Sequence, residues 1–223
     1  MIQTNCIFDD IDEISCGWIA DGQNDETDLA SAVDFFNGRG IHVISVPTES
    51  AEKIWPWIEK EHTKIIGRFK FGGGDSAADD LSESVMRGFR QGLSGAQVFV
   101  PLSAVGGFVN EIFSIRDDLF FRRHFSVAID IDGKVSPSWD TLFDNLKKIR
   151  IDSLLLVANS DTFNTKSDFV GRVFDMLNHW NIDCDLHIMF GKNMMRVSQV
   201  IRLVAKIKPE LSNRLRVFRM IDR

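Results

Sequence analysis

Short runs of β-branched and aromatic residues alternate along the whole chain with stretches whose apolar positions recur every three or four residues. The first pattern fits strands with a buried face, and the second fits amphipathic helices. Eight strand-like runs can be counted: Ile14 to Asp21, Ile41 to Val46, Lys64 to Lys70, Gln97 to Leu102, Phe125 to Asp132, Ser153 to Ala158, Asp185 to Phe190 and Leu215 to Met220. Helical stripes separate them, among them Leu29, Val33 and Phe36, then Leu81, Val85 and Phe89, then Phe108, Ile112, Ile115 and Leu119. Trp139, Leu142, Leu146 and Ile149 mark the fifth helix, with Ser136 and Pro137 as its N-cap and first-turn pair. Phe169, Val173, Leu177 and Trp180 mark the sixth, and Val197, Ile201 and Val204 the seventh. The second helix is interrupted by Pro56, which lacks an amide hydrogen and predicts two short pieces or a kink between Glu49 and Glu61.

Strand and helix in strict alternation predict an α/β fold with a parallel sheet. Eight strands favour a closed (β/α)8 barrel of the triosephosphate-isomerase (TIM) type over an open doubly wound sheet, because eight is the number at which inward side chains just fill a closed barrel. Residues 1–223 are expected to form this single domain, since no Pro/Ser-rich linker or charge block divides them. The sequence stops a few residues after the eighth run, so the eighth helix is expected to be missing. The uncovered strand would then need the amino-terminal CIFDDIDEI segment or a second subunit over it, and a homodimer is the expected assembly.

Charge narrows the partners. A formal net charge of -6 argues against a nucleic-acid or anionic-membrane surface and for a small-molecule partner, which the strand-end cations named below make a small anionic metabolite. No stretch approaches the roughly 20 apolar residues of a bilayer span, and the amino terminus has no leader pattern, so a cytoplasmic protein is expected. Cys6, Cys16 and Cys184 lack a CxxC spacing and read as buried reduced thiols.

In barrels of this type the chemistry lies at the carboxyl ends of the strands. Strand alternation there points Ser126, Ala128, Asp130 and Asp132 into the bore, puts Arg68 and Lys70 on one face, and groups Asp21 with Gly17 and Ile19 and Arg219 with Val217. Gly72, Gly73 and Gly74, following two cations, suit a carboxylate or phosphate held by free amides, and Ser103 with Gly106 and Gly107 partly repeats the arrangement. Neither is a known phosphate fingerprint, and a flexible loop is the plain alternative. Lys70, next but one to Arg68, and Lys192 are the candidates to attack or polarise a carbonyl. The end of the sixth strand, where many Schiff-base barrels carry their lysine, has Asn159, a substrate-binding candidate.

Asp130 and Asp132 are spaced to move a proton or to hold a divalent cation, although no cofactor is required. His187 is read as a buried histidine unless it faces inward with Asp185. The leading expectation is a lyase of aldolase type or an isomerase acting beside a carbonyl. A metal- or carboxylate-dependent hydrolase using Asp130, Asp132 and Asp21 is the enzymatic alternative, and a non-catalytic ligand-binding or regulatory barrel is the other.

Overall fold

The computed structural model describes residues 15–21, 25–58, 63–72, 77–131, 138–158, 166–190 and 194–220. Its eight strands run parallel and close into a barrel in sequence order. They are β1 (Ser15–Trp18), β2 (Val43–Pro47), β3 (Lys64–Lys70), β4 (Gly95–Phe99), β5 (His124–Asp130), β6 (Ser153–Ala158), β7 (Asp185–Phe190) and β8 (Leu215–Met220). Closure is made by β8 on β1, with Ser15 opposite Val217 and Trp18 opposite Met220. This is the TIM-type barrel that the alternation predicts, and the continuous ring of pairings excludes an open sheet.

The helices follow from local chemistry. Asp25 caps α1 (Glu26–Asn37) by accepting from the amides of Thr27 and Asp28 at 2.9 and 3.4 Å. Pro56 has the expected effect: α2 (Ala51–Ile54) gives way to a 3-10 turn over Trp55–Trp57. After β3 comes α3 (Ala77–Arg90), with Asp79 and Asp80 in its first turn and Arg87 and Arg90 in its last, each sign matching the helix dipole. The stripe from Phe108 to Leu119 is not one helix. It divides into α4 (Val105–Phe113) and α5 (Arg116–Leu119).

The next helix, α6 (Trp139–Ile149), is capped by Ser138, whose Oγ accepts from the Thr141 amide at 3.5 Å. The expected caps Ser136 and Pro137 lie outside the described residues. Trp139, Leu142, Leu146 and Ile149 are all buried, as their spacing predicts, and Phe143 joins them. Two further helices, α7 (Lys166–His179) and α8 (Met194–Ile207), complete the outer ring of described elements.

Apolar side chains fill two separate regions. The larger lies between barrel and helices, where Phe36, Ile44, Val98, Phe108, Phe143 and Ile188 are buried. Gly17 permits this packing on β1, because a Cβ there would sit 2.9 Å from the Phe36 ring. The smaller region is the bore itself, filled by Cys16, Trp18, Ala128, Leu155, Val157, Met189 and Phe218. On the outer face of β8, Leu215 and Val217 are buried within one chain, so these positions do not call for a second subunit. The CIFDDIDEI segment expected to cover them lies outside the described residues.

Candidate functional site

Side-chain alternation fixes which residues face the bore. On β5 the pattern is as expected: Phe125, Val127 and Ile129 pack against helices, and Ala128 belongs to the bore. On β1 and β8 it runs the other way from the sequence-based grouping. Cys16, Trp18 and Phe218 face inward, while Ile19 and Val217 pack outside. Asp21 reaches the mouth nonetheless, because β1 ends at Trp18 and the chain turns before Asp21.

Arg68 organises this end of the barrel. Its guanidinium donates from Nη1 to the Ser45 carbonyl at 3.1 Å and from Nη2 to the Asp21 carboxylate at 2.8 Å, and it also donates to the Ile19 carbonyl. Its side chain is 5% exposed, whereas that of Asp21 is 66% exposed. Burial pulls the Arg68 pKa down to about 10, opposed by the Asp21 carboxylate and more weakly by Glu49. The group therefore stays charged at neutral pH, with its donors committed to the protein. Beside it, the Thr48 hydroxyl donates to the Arg68 carbonyl at 2.5 Å.

A cavity of about 570 Å³ opens over β2, β3 and β4 and reaches α3. That volume lies in the range of small-molecule sites. Asp21, Arg68, Lys70 and Gly72, all anticipated from the sequence, line it together. Lys70 is exposed at the last position of β3. The remaining polar wall was not anticipated: Thr48 and Glu49 follow β2, and Asp80, Ser84 and Arg87 come from one flank of α3. The strand-end rule applied to β2 finds the first pair, and the spacing of three or four along α3 finds the rest. Pro47, Phe69, Leu81 and Phe99 supply apolar wall.

Other candidates stand elsewhere. Asp130 is exposed at the end of β5 and Ser103 is exposed in a 3-10 turn, and neither lines this cavity. Gly106 and Gly107 lie inside the first turn of α4 rather than in a loop before it, with open space where a side chain would project. Arg219 pairs with Gly17 and Phe190 along the strands, and its side chain lies outside the described residues. Gly73, Gly74, Asp132, Asn159 and Lys192 also lie outside them.

His187 does face the bore, but below the mouth. Its ring stacks 5.9 Å from that of His124 and lies 5.5 Å from Phe218. Burial pushes its pKa down to about 3, with His124 and Arg216 adding to the effect. Asp185, its neighbour on the strand face, instead accepts from Arg214 Nε at 2.9 Å. Among the described residues no cluster of three or more histidines, cysteines or carboxylates could hold a metal. Cys16 and Cys184 are buried free thiols, each pushed up to about 12 by burial. No described helix is long and apolar enough to cross a membrane.

No family model and no curated protein matches the chain. Solved structures do. "QR15, an Aldolase" superposes with a TM-score of 0.71 at 12% identity over 93% of this chain and 91% of that one. A deoxyribose-phosphate aldolase from Aeropyrum pernix, described as a unique tetrameric structure, gives 0.68 at 14% identity over 94% and 86%. A D-psicose 3-epimerase solved in the presence of D-fructose gives 0.57 at 9% identity over 92% and 83%. Identities this low show the shared barrel and nothing finer.

Proposed function

We propose that this barrel is a small-molecule enzyme of lyase or isomerase type, acting at a carbon next to a carbonyl in an anionic metabolite. The observation that carries the reading is the cavity over β2, β3 and β4, where the Lys70 amine stands in one wall with the carboxylates of Asp21, Glu49 and Asp80. An amine and carboxylates around one cavity are the parts needed to polarise a carbonyl and to move the proton beside it. The fold neighbours include aldolases and an epimerase, which agrees with this class of chemistry without specifying it.

In this reading Lys70 polarises the carbonyl, or adds to it with loss of water to give a Schiff base. Glu49 or Asp80 then takes the proton from the adjacent carbon. Arg68 is already engaged, so the substrate's anionic group falls to Arg87 and the Gly72 end of β3. The Arg87 pair with Glu83 at 3.0 Å is exposed and cheap to exchange for a ligand anion. Lys192, Asp130 and Asp132 are retained from the sequence alone as a second amine and a second pair of proton carriers.

A non-catalytic binding barrel is the second reading. It is favoured by the bore residues beneath the mouth, where Trp18, Val157 and Met189 leave an apolar floor rather than a reactive group. Borohydride trapping with a panel of small oxoacids and phosphorylated aldehydes separates the two. A reduced adduct at Lys70 or Lys192 supports the Schiff-base enzyme. Saturable binding by calorimetry without an adduct, and without exchange of the proton next to the carbonyl in deuterated water, overturns it in favour of the binding barrel.

A further inference from the structure

Three buried polar atoms inside the barrel have no partner among the described residues: Gln97 Nε2, Ser126 Oγ and His187 Nδ1. Gln97 and Ser126 are fully buried and His187 is 5% exposed. A buried polar atom left unpaired has given up its bonds to water with nothing in return, so three inside one small bore need an explanation.

Their placement supplies one. Gln97 and Ser126 are direct register partners on β4 and β5, and both lie on the bore-facing side of their strands. His187 faces the same interior from β7, with its ring stacked on that of His124, which sits two residues before Ser126 on the same face of β5. The three residues thus face one interior from β4, β5 and β7. Trp18, Val157 and Met189 stand between them and the open mouth.

The hydrogen-bond directions are also fixed. The Arg68 guanidinium has donors only, and its Nη1 points at Ser45 Oγ at 3.4 Å. The Ser45 hydroxyl, receiving that approach, donates to Gln97 Oε1 at 2.9 Å. With its oxygen held by Ser45, the buried Gln97 amide is left with its NH2 group as an unpaired donor. The unsatisfied atom there is a donor that needs an acceptor.

We infer that the bore holds an internal water molecule, which accepts from Gln97 Nε2 and donates to Ser126 Oγ and His187 Nδ1. A buried water needs two to four polar partners, and this one has three. A metal cation does not fit, since the one oxygen of Gln97 is taken by Ser45 and the site carries no carboxylate. The water places His187 in the tautomer with its proton on Nε2. It also ends a directed chain from Arg68 at the mouth through Ser45 and Gln97 to the middle of the barrel.

The test is a crystal structure at atomic resolution together with 15N chemical shifts of the histidine rings. The expected result is a density peak within hydrogen-bond distance of Gln97 Nε2 and of at least one of the other two atoms, and a His187 Nδ1 shift typical of an unprotonated acceptor. Oxygen-17 relaxation dispersion on the intact protein should show a water that stays longer than a microsecond, lost in Ser126→Val, whose added methyl fills the spot. A dry bore with Gln97 Nε2 bonded directly to Ser126, or a His187 protonated at Nδ1, overturns the inference. The wild-type density and shifts decide it even if Ser126→Val does not fold.

Discussion

The Arg68 guanidinium carbon sits 4.0 Å from the centroid of the Trp18 ring, which joins the middle of β3 to the end of β1 across the top of the bore. A desolvated cation over an indole face contributes on the order of 2 kcal/mol. The same side chain donates to two carbonyls and to Asp21, so it closes one side of the mouth. The sequence suggested Arg68 as an anion anchor. The structure uses its donors to hold the protein itself.

It follows that Arg68→Met should destabilise the fold by about 2–3 kcal/mol, the cost of orphaning buried acceptors and a charge-assisted bond. Arg68→Lys should recover less than half of this, because one ammonium cannot reach Ser45, Ile19 and Asp21 at once. Urea unfolding midpoints at constant slope measure both. A variant as stable as wild type that nonetheless loses ligand affinity would return Arg68 to the role of anchor.

Lys70 should behave in the opposite way. It is exposed at the rim, so Lys70→Ala should change stability by no more than about 0.5 kcal/mol. The same variant should lose ligand binding at least tenfold, and Lys70→Arg should keep binding while abolishing borohydride-trapped adduct. Calorimetry and intact-mass spectrometry read the two effects separately. Unchanged affinity in Lys70→Ala would move the site away from this cavity.

Two glycines in the strands should differ in a way their raw distances do not suggest. A Cβ on Gly67 would lie 2.4 Å from a Leu93 methyl, and one on Gly95 would lie 2.7 Å from both the Cβ and the carbonyl oxygen of His124. Leu93 can rotate away, but the β5 backbone cannot. Gly95→Ala should therefore cost about 2–3 kcal/mol and Gly67→Ala about 1 kcal/mol, within the usual range for overpacking. Thermal and urea unfolding of the pair would check the order, and a cheaper Gly95→Ala would show that β5 yields.

The barrel was legible because every βα unit repeats one physical pattern, and four of the eight strands, including Lys64–Lys70 and Asp185–Phe190, begin and end where the apolar runs do. Inward and outward faces were legible on β5, where Asp130 and Ser126 alternate with Val127 and Ile129. They were not on β1 and β8, where Cys16 and Val217 are both small and apolar and either face accepts them. The cavity was half legible. Strand ends are visible in a sequence, but Ser84 and Arg87 reach it from a helix flank, and only tertiary packing brings that flank over Lys70. Alternation on β3 turns Arg68 inward, but nothing in the sequence announced that its donors would be taken by the Ser45 and Ile19 carbonyls and by Asp21.

The two stacked histidines make the fold sensitive to acid. Burial lowers the pKa of His187 from its ordinary 6.5 to about 3, with His124 and Arg216 as further causes. His124, whose ring nitrogen lies 3.0 Å from Ser153 Oγ, is also lowered by burial. Asp152 and Asp185 oppose that shift, and Lys64 adds to it. Above pH 6.5 both rings are neutral in the folded and unfolded chains, and stability does not depend on them. As pH falls below 6.5 the unfolded chain takes up protons that the folded barrel refuses, so stability is lost, approaching about 1.4 kcal/mol per pH unit for His187, and His124 adds a loss of the same sign. Between pH 7.5 and 5, before carboxylates titrate strongly, the urea midpoint should therefore fall. In His187→Phe, which keeps a ring against Phe218, the fall should be shallower than in the wild type, with His124 supplying what remains. A wild-type midpoint that stays flat or rises over this range would mean that the bore accommodates a charged imidazole, in conflict with its burial.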